Sequence, residues 1–234
     1  MYPENTLLAF EKAVEIDGLE GIELDIQFTK DGQLVVCHDE RVDRTTDGIG
    51  ELKQYSLREL RKLKINAGEG RYEQIPTMEE VFELLEDYED KKKNRMKLNI
   101  ELKNSIFPYE GMEDKIVNLV YRYGMQNRVI YSSFNALSLE RIKKIDSKAK
   151  MGILDRKVSD CLNKLKSGCG ADALHPWWNG IDLAKEIIRD YTVRAWFTGH
   201  LYPEKPTGNR LDLSMLEQRG ITDVFLNEPE QYLL

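Results

Sequence analysis

The chain has 234 residues, enough for one large α/β domain or two small ones, and 41% of them are hydrophobic, enough for a sizeable core. Its 34 basic and 41 acidic residues give a formal net charge of −7, which disfavours nucleic acid and anionic lipid as partners. The apolar runs are too short for a transmembrane helix, and no apolar signal segment opens the chain. Three cysteines without metal-binding spacing fit reduced thiols, so we expect a cytoplasmic protein with no stable membrane insertion.

The first elements form a helix, a strand and a return strand. Apolar periodicity predicts a helix over residues 3 to 17, with Pro3 in its first turn. Strict alternation predicts a strand over residues 21 to 27. After a turn with the composition Thr-Lys-Asp-Gly, the chain returns as an antiparallel strand over residues 33 to 38.

Residues 39 to 75 interrupt this pattern, because they are polar and rich in glycine. A short helix is predicted there at about residues 57 to 63, with Ser56 and Glu59 as its capping box. We interpret residues 39 to 75 as an insertion within a single domain that spans residues 1 to 234.

From residue 97 onward, strands and helices alternate regularly. Six further strands are predicted, at residues 97–102, 129–134, 151–154, 171–175, 193–197 and 223–227. Helices are predicted between them, at about residues 112–123, 136–145, 159–166, 182–190 and 212–219. With the strand at 21 to 27 there are seven barrel-type strands, so the pattern indicates an α/β fold, a TIM (β/α)8-type barrel whose first strand is expected before Met1.

Acidic side chains converge on one face of two predicted strands. Residues two apart in a strand point the same way, so Glu23 and Asp25 share a face, and Glu101 shares one with Lys103. Three carboxylates in one enclosed space repel one another unless a cation is present. All-oxygen ligation fits a divalent ion such as magnesium, calcium or manganese and disfavours zinc. The alternative is an ordinary surface strand with its polar residues outward, and the matching phase of the second strand favours the cation site over it.

Two further side chains are candidates for substrate chemistry. His38 ends the return strand beside acidic residues, a position suited to general acid–base catalysis. The spacing alone nevertheless favours an ordinary turn histidine. Trp196 ends another predicted strand, where contact with an apolar part of a substrate and packing in the core are both compatible with the sequence.

An ordered set of motifs runs through most of the chain. They are Pro3-Glu4-Asn5-Thr6, Gly21-Ile22-Glu23-Leu24-Asp25, Thr29-Lys30-Asp31-Gly32, Val35-Val36-Cys37-His38-Asp39, Arg44-Thr45-Thr46, Ile75-Pro76-Thr77, Asn99-Ile100-Glu101-Leu102-Lys103 and Ser132-Ser133-Phe134-Asn135. Together they resemble the glycerophosphodiester phosphodiesterase family. The resemblance implies a (β/α)8 barrel with a small insertion after the hairpin of the second strand. It also implies a phosphoric diester hydrolase of lipid metabolism, which converts small-molecule glycerophosphodiesters to an alcohol and glycerol 3-phosphate.

The same resemblance implies roles for individual residues. The ligands of one divalent cation, Mg2+ or Ca2+, correspond to Glu23, Asp25 and Glu101. His38 corresponds to one of two acid–base histidines, Lys103 to a residue near the phosphate, and Trp196 to the tryptophan that lines the glycerol side of the pocket.

The family's His-Arg-Gly motif, which carries the second acid–base histidine and a phosphate-binding arginine, has no counterpart in this sequence. Three origins are open: an internal methionine taken as the start, a shortened chain, or a natural loss of the first strand. We expect a preserved cation site with poor or absent turnover. The alternatives to a phosphodiesterase are a non-catalytic truncated barrel that binds a metal or a phospho-ligand, and another metal-dependent barrel of the phospholipase type. The oligomeric state is open.

Overall fold

The computed structural model describes residues 2–92, 96–197 and 212–233, and it describes side chains outside residues 89–92. The chain divides into two compact units, an N-terminal unit of residues 2–129 and a C-terminal unit of residues 130–234. The single domain spanning residues 1–234, with an insertion at residues 39–75, stays a prediction. Among the described helices, none combines the length and the apolar composition needed to span a bilayer.

The N-terminal unit is built around a central strand. Its helices are α1 (Leu7–Val14), α2 (Leu57–Leu60), α3 (Met78–Lys92) and α4 (Met112–Arg122), and its strands are β1 (Gly21–Phe28), β2 (Leu34–Val36), β3 (Ile65–Asn66), β4 (Tyr72–Glu73) and β5 (Lys97–Leu102). Strand β1 pairs in parallel with β5 on one side and antiparallel with β2 on the other. The hairpin of β1 and β2 and the strand β5 are therefore confirmed as predicted.

The register of β1 and β5 places the predicted acidic residues side by side. Asp25 lies opposite Glu101, and Glu23 lies opposite Asn99. Gly21 starts the pairing, and a Cβ at this position would lie 2.8 Å from the carbonyl oxygen of Lys97. Glycine thus permits the close approach of the two strands.

The first helix begins later than the sequence pattern predicts. Thr6 is its N-cap: the Thr6 hydroxyl donates to the Pro3 carbonyl at 2.8 Å and accepts from the Ala9 amide at 3.2 Å. Asn5, just before it, has a left-handed backbone with φ of 53°, which a right-handed helix cannot continue. The predicted start at residue 3 was wrong because capping by Thr6 and the conformation of Asn5 set the boundary at Leu7.

Residues 39 to 75 contain more regular structure than predicted. The capping box of α2 is present, with the Ser56 amide donating to the Glu59 carboxylate at 2.8 Å. A 3-10 helix at Leu52–Gln54 and the two-residue strands β3 and β4 were not predicted, because elements this short carry no periodicity. These elements share a small core of buried side chains with β2, made of Val35, Cys37, Val42, Leu52, Leu60, Ile65 and Ile75.

The C-terminal unit follows the predicted alternation of strands and helices. Its strands are β6 (Val129–Ser133), β7 (Lys150–Asp155), β8 (Ala173–Pro176), β9 (Thr192–Ala195) and β10 (Asp223–Val224), and its helices are α5 (Ala136–Ile145), α6 (Val158–Lys166), α7 (Lys185–Ile188) and α8 (Leu213–Gln218). The five strands pair in parallel in chain order. Helix α7 is shorter than predicted because Asp182 is engaged elsewhere: its carboxylate accepts from the amide and the hydroxyl of Ser159 at 3.0 and 2.6 Å.

Candidate functional site

The N-terminal unit brings the three predicted carboxylates together. Ligand oxygens of Glu23, Asp25 and Glu101 all lie within 4.8 Å of one another. Asp25 and Glu101 are buried, with 3% and 9% of their surface exposed, whereas Glu23 keeps partial contact with solvent. The cluster is therefore enclosed on one side and open to a ligand on the other, and its role as a set of metal ligands stays a prediction.

The negative charge of the three carboxylates exceeds the positive charge of the residues around them. Burial, and next the charges of Asp25 and Glu101, raises the pKa of Glu23 well above its usual value. Burial likewise raises the pKa of Glu101, although Lys103 acts in the opposite direction. Lys103 Nζ lies 3.0 Å from Glu101 Oε1 and 3.8 Å from Asp25 Oδ1. One ammonium against three carboxylates leaves an excess of negative charge, and the all-oxygen donor set fits a hard divalent cation.

His38 lies beside this cluster and faces it with one ring nitrogen. Its Nε2 is 3.4 Å from Lys103 Nζ, and its Nδ1 is 2.7 Å from Asp39 Oδ1. Burial acts to lower the pKa of His38, but the hydrogen bond to Asp39 and the charges of Asp25 and Glu101 together outweigh burial, so the pKa is raised. The structure thus brings His38 and Lys103, both predicted from the sequence, to one place.

Two residues that the sequence analysis did not single out hold this site in place. Asn5 Nδ2 donates to Asp25 Oδ2 at 2.9 Å. Gln27 Nε2 donates to the carbonyls of Cys37 and Asp39 at 3.0 and 2.7 Å and so fixes the segment that carries His38. Gln27 shares the strand face of Glu23 and Asp25, so alternation was a usable signal for it. Asn5 was visible only as part of the Pro-Glu-Asn-Thr motif.

Trp196, the predicted substrate-lining residue, lies in the C-terminal unit directly after β9. Its indole Nε1 donates to the carbonyl of His175 at 3.1 Å. Its ring meets Phe134 edge to face, with the ring centres 5.9 Å apart. These contacts fix the orientation of a half-buried aromatic side chain, and its role in lining the glycerol side of a substrate stays a prediction.

His175 is a structural histidine in the same unit. Its side chain is fully buried, and its Nε2 lies 3.3 Å from Arg194 Nη1. The ring occupies the space above Gly152, where a Cβ would lie 2.1 Å from it. Burial, and next the charge of Arg194, lowers the pKa of His175 to about 3, so the ring is neutral in the folded protein.

This buried histidine predicts a loss of stability in acid. The folded pKa of about 3 lies below the usual value of 6.5, so the neutral ring contributes fully to stability above that value. The contribution is lost as the pH falls from there towards 3. We expect His175→Gln to flatten the decline of the unfolding free energy over this window, measured by urea denaturation at several pH values. His38→Gln is the control, because the raised pKa of His38 gives a contribution of opposite sign that is lost as the pH rises. An unchanged decline in His175→Gln would contradict the assignment.

Comparison with known proteins agrees with this arrangement. The Glycerophosphoryl diester phosphodiesterase family matches residues 1–176. A glycerophosphodiester phosphodiesterase of Caldanaerobacter subterraneus subsp. tengcongensis is 46% identical over 155 residues, which are 65% of this chain and 61% of that protein. A glycerophosphodiester phosphodiesterase of Bacillus altitudinis is 35% identical over 98% of this chain and 91% of that protein.

A solved structure matches along almost the whole length. It is a phosphodiesterase of Oleispira antarctica in complex with the product sn-glycerol-3-phosphate, 26% identical, with a TM-score of 0.79 over 98% of this chain and 90% of that chain. The α/β fold of TIM-barrel type predicted from the sequence is thereby confirmed. This chain belongs to the glycerophosphoryl diester phosphodiesterase family, because the family matches residues 1–176 and the Bacillus altitudinis enzyme is similar along nearly the full chain.

Proposed function

We propose that this chain hydrolyses glycerophosphodiesters to an alcohol and glycerol 3-phosphate at the cluster of Glu23, Asp25, Glu101, His38 and Lys103. The observation that carries the proposal is the convergence of three carboxylates with one lysine and one histidine in a chain of this family. Two relatives are named for this activity, and the Oleispira antarctica enzyme was solved with sn-glycerol-3-phosphate as its product. The proposed substrate is therefore a small phosphodiester with a glycerol moiety.

The proposal includes one divalent cation, Mg2+ or Ca2+, held by Glu23, Asp25 and Glu101. Both ions take carboxylate oxygens as ligands, and a second positive centre beside Lys103 would relieve the repulsion within the cluster. When bound, such a cation polarises the phosphoryl group and stabilises the negative charge that develops on its oxygens.

Lys103 and His38 act on the substrate in this proposal. Burial disfavours the charged ammonium, but Glu101 and Asp25 outweigh it and raise the pKa of Lys103, so it stays charged and contacts a phosphoryl oxygen. The protonated ring of His38 donates its Nε2 proton to the alkoxide oxygen as the bond of that oxygen to phosphorus breaks. The attacking water supplies the new oxygen on phosphorus and releases one proton to the solvent, from which His38 is protonated again. Trp196 is proposed to line the glycerol side.

Release of glycerol 3-phosphate tests this function. The purified chain is assayed on glycerophosphocholine, glycerophosphoethanolamine and a diacyl phospholipid, before and after EDTA treatment and after Mg2+ or Ca2+ is returned. We expect hydrolysis of the deacylated diesters that EDTA stops and the returned cation restores. Cation binding without hydrolysis of any substrate would support the non-catalytic barrel, and hydrolysis of the diacyl lipid alone would support a phospholipase. The expectations of poor or absent turnover and of a cytoplasmic location stay predictions.

The contact between Asn5 and Asp25 predicts a specific loss of cation affinity. Asn5→Gly removes the amide that orients Asp25, and we expect the affinity for Mg2+ or Ca2+ to fall about ten- to hundredfold in calorimetric titrations. Glycine tolerates the left-handed backbone of Asn5, so this variant isolates the lost hydrogen bond. Asn5→Ala adds backbone strain and should also lower the Tm. Unchanged affinity in Asn5→Gly would show that the amide does not support Asp25.

A further inference from the structure

A network of charged side chains extends from His38 on the side of the ring opposite Lys103. His38 Nδ1 meets Asp39 Oδ1 at 2.7 Å, which fixes a proton on this nitrogen when the ring is neutral. The other nitrogen, Nε2, then points towards Lys103 at 3.4 Å. The contact with Asp39 therefore decides which ring nitrogen is free for the substrate.

Arg44 in turn forms hydrogen bonds with both carboxylate oxygens of Asp39. Arg44 Nε donates to Asp39 Oδ2 at 2.6 Å, and Arg44 Nη2 donates to Asp39 Oδ1 at 3.0 Å. A planar guanidinium in this bidentate contact sets the plane of the carboxylate as well as its position. The orientation of Asp39, and through it the orientation of the imidazole, thus depends on Arg44.

Arg44 is held on its other side by Glu4. Its Nη1 donates to Glu4 Oε2 at 2.9 Å and its Nη2 donates to Glu4 Oε1 at 2.5 Å. The side chains of Arg44, Glu4 and Asp39 are only about one quarter exposed, at 25%, 27% and 27%. The hydrogen bonds that Arg44 donates to Glu4, and next those that it donates to Asp39, raise the pKa of Arg44 further above its usual range despite burial. The guanidinium is therefore paired with two carboxylates at once.

Because Arg44 holds Asp39 and Glu4 holds Arg44, we propose that Glu4 and Arg44 are positioning residues that fix the tautomer and the ring orientation of His38. The proposal rests on the proposed function for its effect on turnover, but its effect on His38 itself does not. Glu4 also has an electrostatic effect on His38. Its negative charge offsets the positive charge of Arg44, so that the imidazole experiences the full charge of Asp39. Without Glu4, the arginine charge would disfavour the protonated ring.

The neighbouring residues of the N-terminal segment act on different parts of the site. Asn5 holds Asp25, whereas Glu4 holds Arg44. We therefore expect Asn5 variants to change chiefly the cation affinity and Glu4 variants to change chiefly the titration of His38, although the charge of Glu4 also acts on Glu23.

The charged groups around His38 define what a titration of its ring reports. Those that act on it are Asp39, Asp25, Glu101 and Lys103, with Arg44 and Glu4 behind Asp39. Of these groups, only Arg44 and Glu4 are substituted in the proposed variants, so a change in the titration of His38 is attributable to them.

The test combines NMR of 15N-labelled histidines, across a range of pH, with the pH profile of kcat. His38→Gln identifies the His38 signals by their loss. In Glu4→Gln we expect the titration of His38 to move to lower pH by about half a unit to one unit, with the alkaline limb of any hydrolysis moving equally, because a general acid is active only while protonated. In Arg44→Lys, which keeps the charge but not the two-point contact, we expect a mixture of ring tautomers and a kcat roughly tenfold lower.

Two further variants make the outcome decisive. Arg41→Lys is the matched control, because Arg41 pairs with Asp43 on the exposed surface of the same segment and should change neither readout. The double variant Glu4→Gln/Arg44→Met removes both charges, so the titration of His38 should return to that of the unsubstituted chain. The value of kcat should stay low, because Asp39 has lost its hydrogen bonds with Arg44.

Four results would decide whether Glu4 and Arg44 position His38, independently of whether the proposed hydrolysis occurs. An unchanged tautomer and titration in Glu4→Gln and Arg44→Lys would overturn the positioning role, even if hydrolysis is normal. The expected NMR changes without hydrolysis in any protein would support the positioning role and overturn the proposed function. Equal changes in Arg41→Lys, or full recovery of kcat in the double variant, would also overturn the positioning role.

Discussion

Glu23→Gln is expected to abolish EDTA-sensitive hydrolysis while raising the Tm of the cation-free protein. Glutamine keeps the shape of the side chain and removes its charge. Activity should fall by at least about a hundredfold relative to the unsubstituted chain, because one anionic ligand of the cation is lost. Stability should rise because burial and the charges of Asp25 and Glu101 disfavour an ionised carboxylate at this position. Thermal unfolding and a glycerol 3-phosphate assay measure the two effects.

The opposite directions of these effects distinguish a cation ligand from a residue needed for folding, whose loss would lower both quantities. Glu20→Gln is the matched control, because it removes the same charge just before β1 from an exposed side chain that pairs with Lys97 at 2.9 Å. It should leave both activity and Tm unchanged. Hydrolysis that keeps its rate and its sensitivity to EDTA in Glu23→Gln would contradict the assignment.

His38→Gln is expected to lower kcat by about 10²- to 10⁴-fold on glycerophosphodiesters, the usual contribution of a general acid or base. The affinity for the divalent cation should change far less than kcat, because the polar contacts of His38 are with Lys103 and Asp39, and Asp25 and Glu101 feel it only through its charge. Steady-state kinetics and calorimetric titration of the same preparation measure the two quantities.

A second substrate tests the direction of proton transfer. A glycerophosphodiester with a nitrophenyl group leaves as a stabilised phenolate and needs little protonation, so the loss in His38→Gln should be much smaller with it. An equal loss with both substrates would mean that His38 does not protonate the leaving oxygen.

Local sequence patterns predicted the faces of the strands that carry the candidate site. Period-two alternation put Glu23 and Asp25 on one face and Glu101 and Lys103 on another, and the structure brings these side chains together. The register that sets Asp25 opposite Glu101 could not be read from either strand, because it depends on pairing across more than seventy residues of chain. The family resemblance supplied the order of motifs but no distances.

The supporting contacts were harder to predict. Arg44 lies in a loop motif that carries no sign of its partners, whereas the structure joins it to Glu4, forty positions earlier, and to Asp39. The spacing around His38 favoured an ordinary turn residue, because the lysine that it faces is sixty-five positions away. Such contacts follow from the tertiary arrangement, which local periodicity does not encode.

Helix boundaries show the same limit on a smaller scale. The apolar pattern extended α1 back to Pro3, but the hydroxyl of Thr6 and the left-handed backbone of Asn5 make the helix begin at Leu7. From this turn the Asn5 amide donates to Asp25 at 2.9 Å. The error in the helix start and the omission of Asn5 from the site therefore have one cause.

The central claim is that Glu23, Asp25 and Glu101 hold one divalent cation. Calorimetric titration of Mg2+ and of Ca2+ into the EDTA-treated protein tests it most directly, because binding is read without any requirement for turnover. The account predicts saturable binding of one cation per chain by the unsubstituted protein and by Glu20→Gln, and no saturable binding by Glu23→Gln. Absence of binding by the unsubstituted protein, or equal affinity in Glu23→Gln, would contradict it.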